Sequence, residues 1–154
     1  MGLTAVVYRN RKAFIGKDGA LYSDLDFDEE TGEVFPKDDT STTYSKDMFI
    51  TDKKRIGNVA AVAIARSTLI RIGIDEDSVL LSKVLYSGTH GGDLLNLSDV
   101  DLLDHELQNV QVLIEDKTLF DTEEDDSEAL SQLISDFNDL IQASREEGNP
   151  IVFI

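Results

Sequence analysis

The sequence predicts a single α+β domain over residues 1–154, in which a small, mostly antiparallel sheet packs with three helices. Three observations predict this class. Strand-like segments stand at both ends of the chain, segments of helical composition or periodicity lie between them, and 41% of the residues are apolar. A chain of 154 residues typically buries about 70% of its unfolded surface, so we expect a core that needs no disulfide or metal ion.

The first third of the chain is typical of strands joined by turns. Residues 3–8 are rich in β-branched and aromatic side chains and predict a strand. Lys-Asp-Gly at 17–19 predicts the turn of a hairpin, and the alternation within residues 24–30 predicts an exposed strand. The polar residues 36–46 predict a mobile loop.

A long helix is predicted over residues 53–72, with Asp52 as its N-cap and Gly73 as its stop. Residues 59–65 are apolar on every side, which is typical of a central helix that packs on more than one face. Periodicity alone does not distinguish this segment from a buried strand. Its length and its four alanines favour a helix, because strands seldom exceed about ten residues.

Residues 78–86 are apolar enough to predict a strand after the central helix, and entry through a short helical turn is left open. Ser98 then predicts the N-cap of a second helix that ends near Val112, with Asp101 at the capping-box position. The inner face of this helix follows steps of three and four residues: Val100, Leu103, Leu107 and Val110. Residues 113–119 predict a short strand or turn.

The final helix, predicted over residues 127–147, has the clearest pattern in the chain. Its apolar stripe recurs at steps of three and four: Leu130, Leu133, Ile134, Phe137, Leu140 and Ile141. Gly-Asn-Pro at 148–150 ends the helix. The apolar residues 151–154 predict a closing strand that is inserted in the sheet, since a frayed terminus would expose them.

The formal net charge of −17 lies entirely in the second half of the chain. Residues 1–74 contain equal numbers of basic and acidic residues, whereas residues 75–154 contain 3 Lys+Arg and 20 Asp+Glu. Such a field repels phosphate backbones and anionic lipid, so we expect no direct binding of nucleic acid and no membrane binding. It accelerates association with a cationic protein surface. The alternative is that the charge only keeps the protein soluble.

Two acidic clusters and one glycine-rich loop supply the candidate partner-binding residues. The second cluster is a connector over residues 121–126, whose charges also favour the helix that follows them. It contains no central glycine, which argues against an EF-hand calcium site. The candidates are Asp75, Glu76, Asp77, His90, Asp93, Asp121, Glu123, Glu124, Asp125, Asp126 and Glu128.

The loop Ser-Gly-Thr-His-Gly-Gly-Asp at 87–93 is the most unusual local sequence. His90 could act as a base oriented by Asp93, and the three glycines could approach a phosphate. The spacing fits neither G-x-G-x-x-G nor the P-loop, and no lysine follows. The simpler interpretation is a tight turn whose side chains bond its own backbone. We therefore assign no catalytic residue and no metal ligand, and expect no cofactor.

The composition also predicts the compartment. The chain contains no cysteine, its N-terminus lacks the charged, apolar and cleavage regions of a leader, and the apolar run 56–72 is interrupted by Arg66 and Arg71. We expect a soluble, cytoplasmic protein.

Three segments together resemble a known group of proteins. They are Met-Gly-Leu-Thr-Ala-Val-Val-Tyr at 1–8, Tyr-Ser-Gly-Thr-His-Gly-Gly-Asp at 86–93, and the closing helix followed by Gly-Asn-Pro-Ile-Val-Phe at 148–153. Arg-Ile-Gly-Asn at 55–58 fits the same pattern. In order and spacing they resemble small bacterial immunity proteins, which are encoded beside toxins of polymorphic or contact-dependent systems. The resemblance implies an α+β, cytoplasmic, non-enzymatic protein that neutralises one cognate toxin by tight binding.

The acidity and the resemblance together predict a toxin with a basic surface, such as the substrate cleft of a nuclease. Two alternatives stay open. One is a small hydrolase or transferase that uses His90 and Asp93, and the other is a regulator whose acidic surface mimics DNA.

Overall fold

A four-stranded antiparallel sheet and three helices confirm the predicted α+β class. The structure is a computed structural model that describes residues 2–9, 14–15, 21–22, 25–27, 34–36, 49–86, 93–116 and 124–154. The predicted turn at 17–19, most of the predicted loop at 36–46 and residues 87–92 of the glycine-rich loop lie outside these residues.

The described elements follow the predicted order in most of the chain. The strands are β1 (Gly2–Tyr8), β2 (Phe14–Ile15), β3 (Leu21–Tyr22), β4 (Leu25–Phe27), β5 (Val34–Pro36), β6 (Ile50–Asn58), β7 (Leu94–Leu95) and β8 (Ile151–Phe153). The helices are α1 (Val59–Arg71), α2 (Leu97–Glu115) and α3 (Glu124–Glu147), and Leu80–Val84 forms a π-helical turn. Strands β2 and β3 pair antiparallel, as do β4 and β5, in two separate ribbons.

The closing strand is inserted in the sheet, as the sequence predicts. The strand order is β6-β1-β8-β7, so that β8 pairs with β1 on one side and with β7 on the other. Ala5 lies opposite Phe153, and both side chains are fully buried. All three residues of β8 are buried, because apolar side chains on both faces of an inner strand leave the solvent.

Helix α3 packs its predicted stripe into the core, where all six apolar residues are buried. The stripe continues with a polar group at its end, since Ser144 is fully buried and its hydroxyl donates to the Asn149 carbonyl at 2.5 Å. The side-chain amide of Asn149 donates through Nδ2 to the carbonyls of Tyr8 and Arg9 at 2.9 and 2.7 Å. Gly148 has a φ of 68°, which favours glycine, and allows this reversal. The turn therefore ties α3 to the end of β1.

The predicted start of the central helix is wrong. Asp52 does not cap a helix, because Ile50–Asn58 forms strand β6 and pairs with β1. Helix α1 begins at Val59, and the Asn58 side chain is its N-cap, accepting from the Ala61 amide at 2.8 Å. The predicted end at Gly73 is confirmed. Gly73 has a φ of 97°, and the Ile74 amide donates to the Leu69 carbonyl at 3.0 Å, as in a Schellman motif.

The prediction that this helix packs on more than one face is also wrong. Only Thr68 and Leu69 of α1 are buried, whereas Val59 is 72% exposed and Ile64 is 56% exposed. The alanine-rich composition lets one side face the solvent while Leu69 reaches the core.

The strand predicted over residues 78–86 is wrong, because this segment turns helically. The Glu106 carboxylate of α2 accepts from the Val79 amide at 2.6 Å and from the Leu80 amide at 3.2 Å. At the other end, the Arg66 guanidinium donates to the Leu81 and Leu85 carbonyls at 2.5 and 3.0 Å. Distant side chains thus satisfy the backbone groups that a helical turn leaves open at its two ends.

The N-cap of helix α2 lies two residues before the predicted one. Asn96 is the N-cap and Asp99 completes a capping box. The sequence had predicted these two roles for Ser98 and Asp101. The predicted inner face is confirmed, since all four of its residues are buried. The helix continues to Glu115, so the strand or turn predicted at 113–119 is wrong for its first three residues. Likewise, the acidic connector predicted at 121–126 is helical from Glu124 onward.

Replacing Glu106 by Ala should reduce the free energy of unfolding by about 2 kcal/mol, because the Val79 and Leu80 amides lose a charged acceptor. Glu115→Ala removes the same charge from an exposed site on the same helix, and should change stability by less than about 0.5 kcal/mol. Urea unfolding of both variants measures the difference. Equal losses would show that Glu106 has no special role.

Candidate functional site

Helices α2 and α3 pair into a hairpin that carries most of the described negative charge. Helix α2 contains five Asp+Glu and no Lys+Arg, and α3 contains eight Asp+Glu and Arg145 alone as a cation. Their apolar stripes face the core, and five of their carboxylates are exposed on the outward side, whereas Asp99 is buried and Glu106 caps the turn at Val79. We call this outward side the acidic helical face and define it by its exposed acids: Asp101, Glu115, Glu128, Asp139 and Glu146.

The acids of α3 on this face form a row. Glu128, Asp139 and Glu146 are separated by eleven and seven residues, which are multiples of the helical period. From Glu128 to Glu146 the helix rises about 27 Å. The face is therefore long enough to contact a protein surface along several residues.

Two cations, Arg145 and Lys54, form three ion pairs with acids of α2 and α3. Arg145 donates to Asp101 at 2.8 Å and to Asp104 at 3.0 Å, which joins the end of α3 to the start of α2. These hydrogen bonds raise the pKa of Arg145 above its usual range, with Asp101 making the larger contribution. Lys54 of β6 lies 2.8 Å from Asp139, and this hydrogen bond raises the pKa of Lys54. Because these groups are exposed, each pair contributes about 0–1 kcal/mol to stability.

Three glutamates of the face form no ion pair within the described part of the chain. Glu115 accepts from Gln111 at 3.2 Å and Glu146 accepts from Gln142 at 3.0 Å, both through neutral amides. Glu128 is exposed near the start of α3. Their charges are not neutralised by these contacts, so they are available to an external cation.

Apolar side chains accompany these charges on the outward side of α2. Leu102 is 56% exposed and Val112 is 67% exposed. Tight protein interfaces depend on a desolvated apolar centre, while charges at the rim mainly control the association rate. The α2 surface offers both kinds of contact.

The first predicted acidic cluster lies on the turn after α1. Asp75, Glu76 and Asp77 are all exposed. The Asp75 carboxylate accepts from the Asp77 amide at 2.9 Å, and Glu76 lies 3.9 Å from the Arg66 guanidinium. Part of this cluster therefore serves the turn itself and a neighbouring cation.

The glycine-rich loop is closed at its base. The Tyr86 hydroxyl donates to the Asp93 carboxylate, and the Asp93 carbonyl accepts from the Phe153 amide at 2.9 Å. His90 lies outside the described residues. The hydrogen bond to Asp93 raises the pKa of Tyr86 to about 12, because it stabilises the neutral phenol.

The second predicted acidic cluster is described only in part. Asp121 and Glu123 lie outside the described residues. The backbone of 124–126 begins α3, and Glu128 is the one predicted member whose side chain is shown to be exposed.

Sequence reasoning missed four of the five acids that define the acidic helical face: Asp101, Glu115, Asp139 and Glu146. They are scattered in the sequence and form no run. The sequence feature that could have revealed them is their position opposite the apolar stripes of α2 and α3, at multiples of the helical period.

No family model, curated protein or solved structure matches the chain. Within the described ranges, no group of three or more His, Asp or Glu residues could hold a metal ion. No helix in that part of the chain is long and apolar enough to cross a membrane.

Tyr86 should titrate with a pKa of about 12 in the folded protein, and Asp93→Asn should lower that pKa toward the ordinary value of 10.0. The contact stabilises the fold fully below pH 10.0, and this contribution is lost as the pH rises through about 12. Ultraviolet absorbance of the phenolate measures the titration while circular dichroism monitors folding. The variant Tyr86→Phe lacks this phenol, so loss of the titration step near pH 12 in that variant assigns the step to Tyr86. An unchanged titration in Asp93→Asn would contradict the assignment.

Proposed function

We propose that this chain is an immunity protein, which neutralises a cognate bacterial toxin in the cytoplasm by stoichiometric binding through the acidic helical face. The observation that carries the proposal is the composition of α2 and α3, which together contain thirteen Asp+Glu and Arg145 as their single Lys+Arg, with five of these acids exposed on the acidic helical face. The resemblance of the segments at 1–8, 86–93 and 148–153 to immunity proteins supports the same conclusion.

The electrostatics specify the chemistry of the partner. Arg145 already holds Asp101 and Asp104, so it neutralises little of the charge that a partner would meet. A partner must therefore present cations opposite Glu115, Glu128 and Glu146. A nuclease toxin fits, because its cleft must be basic to hold a phosphate backbone. Association should be fast at low salt and slower as salt screens the charges.

The exposed apolar residues supply a reason for tight binding. Leu102 and Val112 would be desolvated between the inhibitor and the toxin, which leaves the surrounding glutamates as the rim. An inhibitor that neutralises a toxin by covering part of its surface needs no catalytic activity of its own. The proposal therefore assigns no catalytic role to His90 or Asp93.

The row of acids on α3 supports a second candidate. Glu128, Asp139 and Glu146 extend over about 27 Å, so that the surface could imitate a run of DNA phosphates for a DNA-binding regulator. The two candidates differ in the partner, which is a toxin in the first case and a DNA-binding protein in the second.

Co-expression with the protein encoded immediately upstream tests the first candidate. We expect that protein to arrest growth when it is expressed alone, and to be harmless and co-purify when this chain is present. If the upstream protein is harmless alone and the two do not co-purify, the proposal fails. Retention on DNA-binding proteins that DNA displaces would then favour the second candidate.

Two charge-matched double variants locate the binding surface. Glu115→Lys/Glu128→Lys should weaken the binding of the toxin by at least about tenfold at low salt, because it reverses two acids of the proposed interface. Glu76→Lys/Asp77→Lys changes the net charge equally, on the turn after α1, and should alter the affinity by less than about twofold. Calorimetry measures both affinities. Equal losses would show that only the net charge matters, and a larger loss in the second variant would place the interface at the predicted cluster.

A further inference from the structure

One side of α1 exposes a continuous apolar surface. Val59, Ile64 and Ile70 are 72%, 56% and 40% exposed; apolar residues scattered singly over a surface are ordinary, but these three lie on one side of a single helix. All exposed side chains of this surface fall on one arc of the helix. We call it the exposed α1 face; its uncharged members are Val59, Ala60, Ala63, Ile64, Ser67 and Ile70, and exposed Arg71 lies at its C-terminal end.

This face differs in charge from the rest of the molecule. Helix α1 contains no acidic residue, and its charged residues are Arg66 and Arg71. The Arg66 guanidinium is directed to the carbonyls of Leu81 and Leu85. In a chain of net charge −17, two copies repel each other over most of their surface. They meet the least repulsion where neither copy carries a carboxylate.

The two ends of α1 are electrostatically complementary. The first turn contains no acid to balance the positive end of the helix dipole. Asp75, Glu76 and Asp77 are exposed just beyond the C-terminal end. In an antiparallel pair of such helices, the acids after one C-terminus lie beside the N-terminus of the other. The arrangement is self-complementary, as a two-fold axis requires.

We propose that the exposed α1 face binds a second copy of this chain, through an antiparallel, two-fold pairing of α1 with α1. The contact covers Val59, Ile64 and Ile70 in both copies. It uses neither α2 nor α3, so the acidic helical face of each copy stays open to a partner. The inference does not depend on the proposed function.

The size of the surface sets the strength of the dimer. A helix of 13 residues is about 20 Å long, which is short for an interface between stable dimers. The dissociation constant should be on the order of micromolar. Salt should strengthen the dimer, because the repulsion that it screens between two copies of net charge −17 is larger than the attraction between the acids and the helix ends, and the rest of the contact is mainly apolar. Binding of a basic partner has the opposite salt dependence.

Sedimentation equilibrium tests the dimer across a range of concentrations at low and high salt. We expect the mass of the full chain to rise from one copy to two, at lower concentration when salt is high. Ile64→Asp should raise the dissociation constant by at least about tenfold. The matched control is Leu102→Asp, since Leu102 is also 56% exposed but lies on α2, and it should dimerise like the unmodified chain. Circular dichroism must show unchanged helicity in both variants.

Cross-linking tests the antiparallel geometry. The chain has no cysteine, so Ala63→Cys introduces a single thiol near the middle of the exposed α1 face. Oxidation should join two copies, because a two-fold axis near this position brings equivalent residues together. The control Gln108→Cys, exposed on α2, should remain monomeric. A monomer at every concentration and salt, equal loss in Ile64→Asp and Leu102→Asp, or equal cross-linking of both cysteine variants would overturn the proposal.

Discussion

The insertion of β8 between β1 and β7 is the contact on which the rest of the structure depends. It joins the last residues of the chain to the first strand and buries Ile151, Val152 and Phe153 completely or nearly so. In the turn before β8, the Ser144 hydroxyl donates to the Asn149 carbonyl, and the side-chain amide of Asn149 donates to the carbonyls of Tyr8 and Arg9. Since α3 leads directly into that turn, its position on the sheet follows from the strand pairing.

The orientation of α3 then separates the charges of the molecule. With its apolar stripe on the core, α3 must present Glu128, Asp139 and Glu146 outward, and α2 packs beside it with its own acids outward. Arg145 forms an ion pair between α3 and α2, and Lys54 forms one between β6 and α3. The acid-free helix α1 lies elsewhere on the sheet, next to β6 and the turn at Glu76. One chain thus carries an acidic surface on α2 and α3 and a second, largely apolar surface on α1.

Local sequence patterns were sufficient to predict the elements whose apolar residues recur at a regular spacing or form a short run. The stripe of α3, the inner face of α2 and the apolar closing strand were predicted because burial imposes a period that neighbouring residues reveal. The boundary between β6 and α1 was missed because β6 is a strand through its pairing with β1, about fifty residues away. The turn at Leu80–Val84 was missed because Glu106 caps it from another helix. Likewise, acids that are adjacent in the sequence were predicted as a candidate site. The row on α3 is recognised only when it is known which side of the helix faces the core.

Labelling of exposed carboxylates by carbodiimide and an amine, read by mass spectrometry, tests the central claim most directly. The experiment compares the free chain with the chain mixed with the protein encoded immediately upstream, which is the proposed toxin. The account predicts that the complex protects Glu115, Glu128 and Glu146, while Asp75 and Asp77 are labelled as in the free chain. Protection of Asp75 and Asp77 with unchanged labelling of the three glutamates would contradict it.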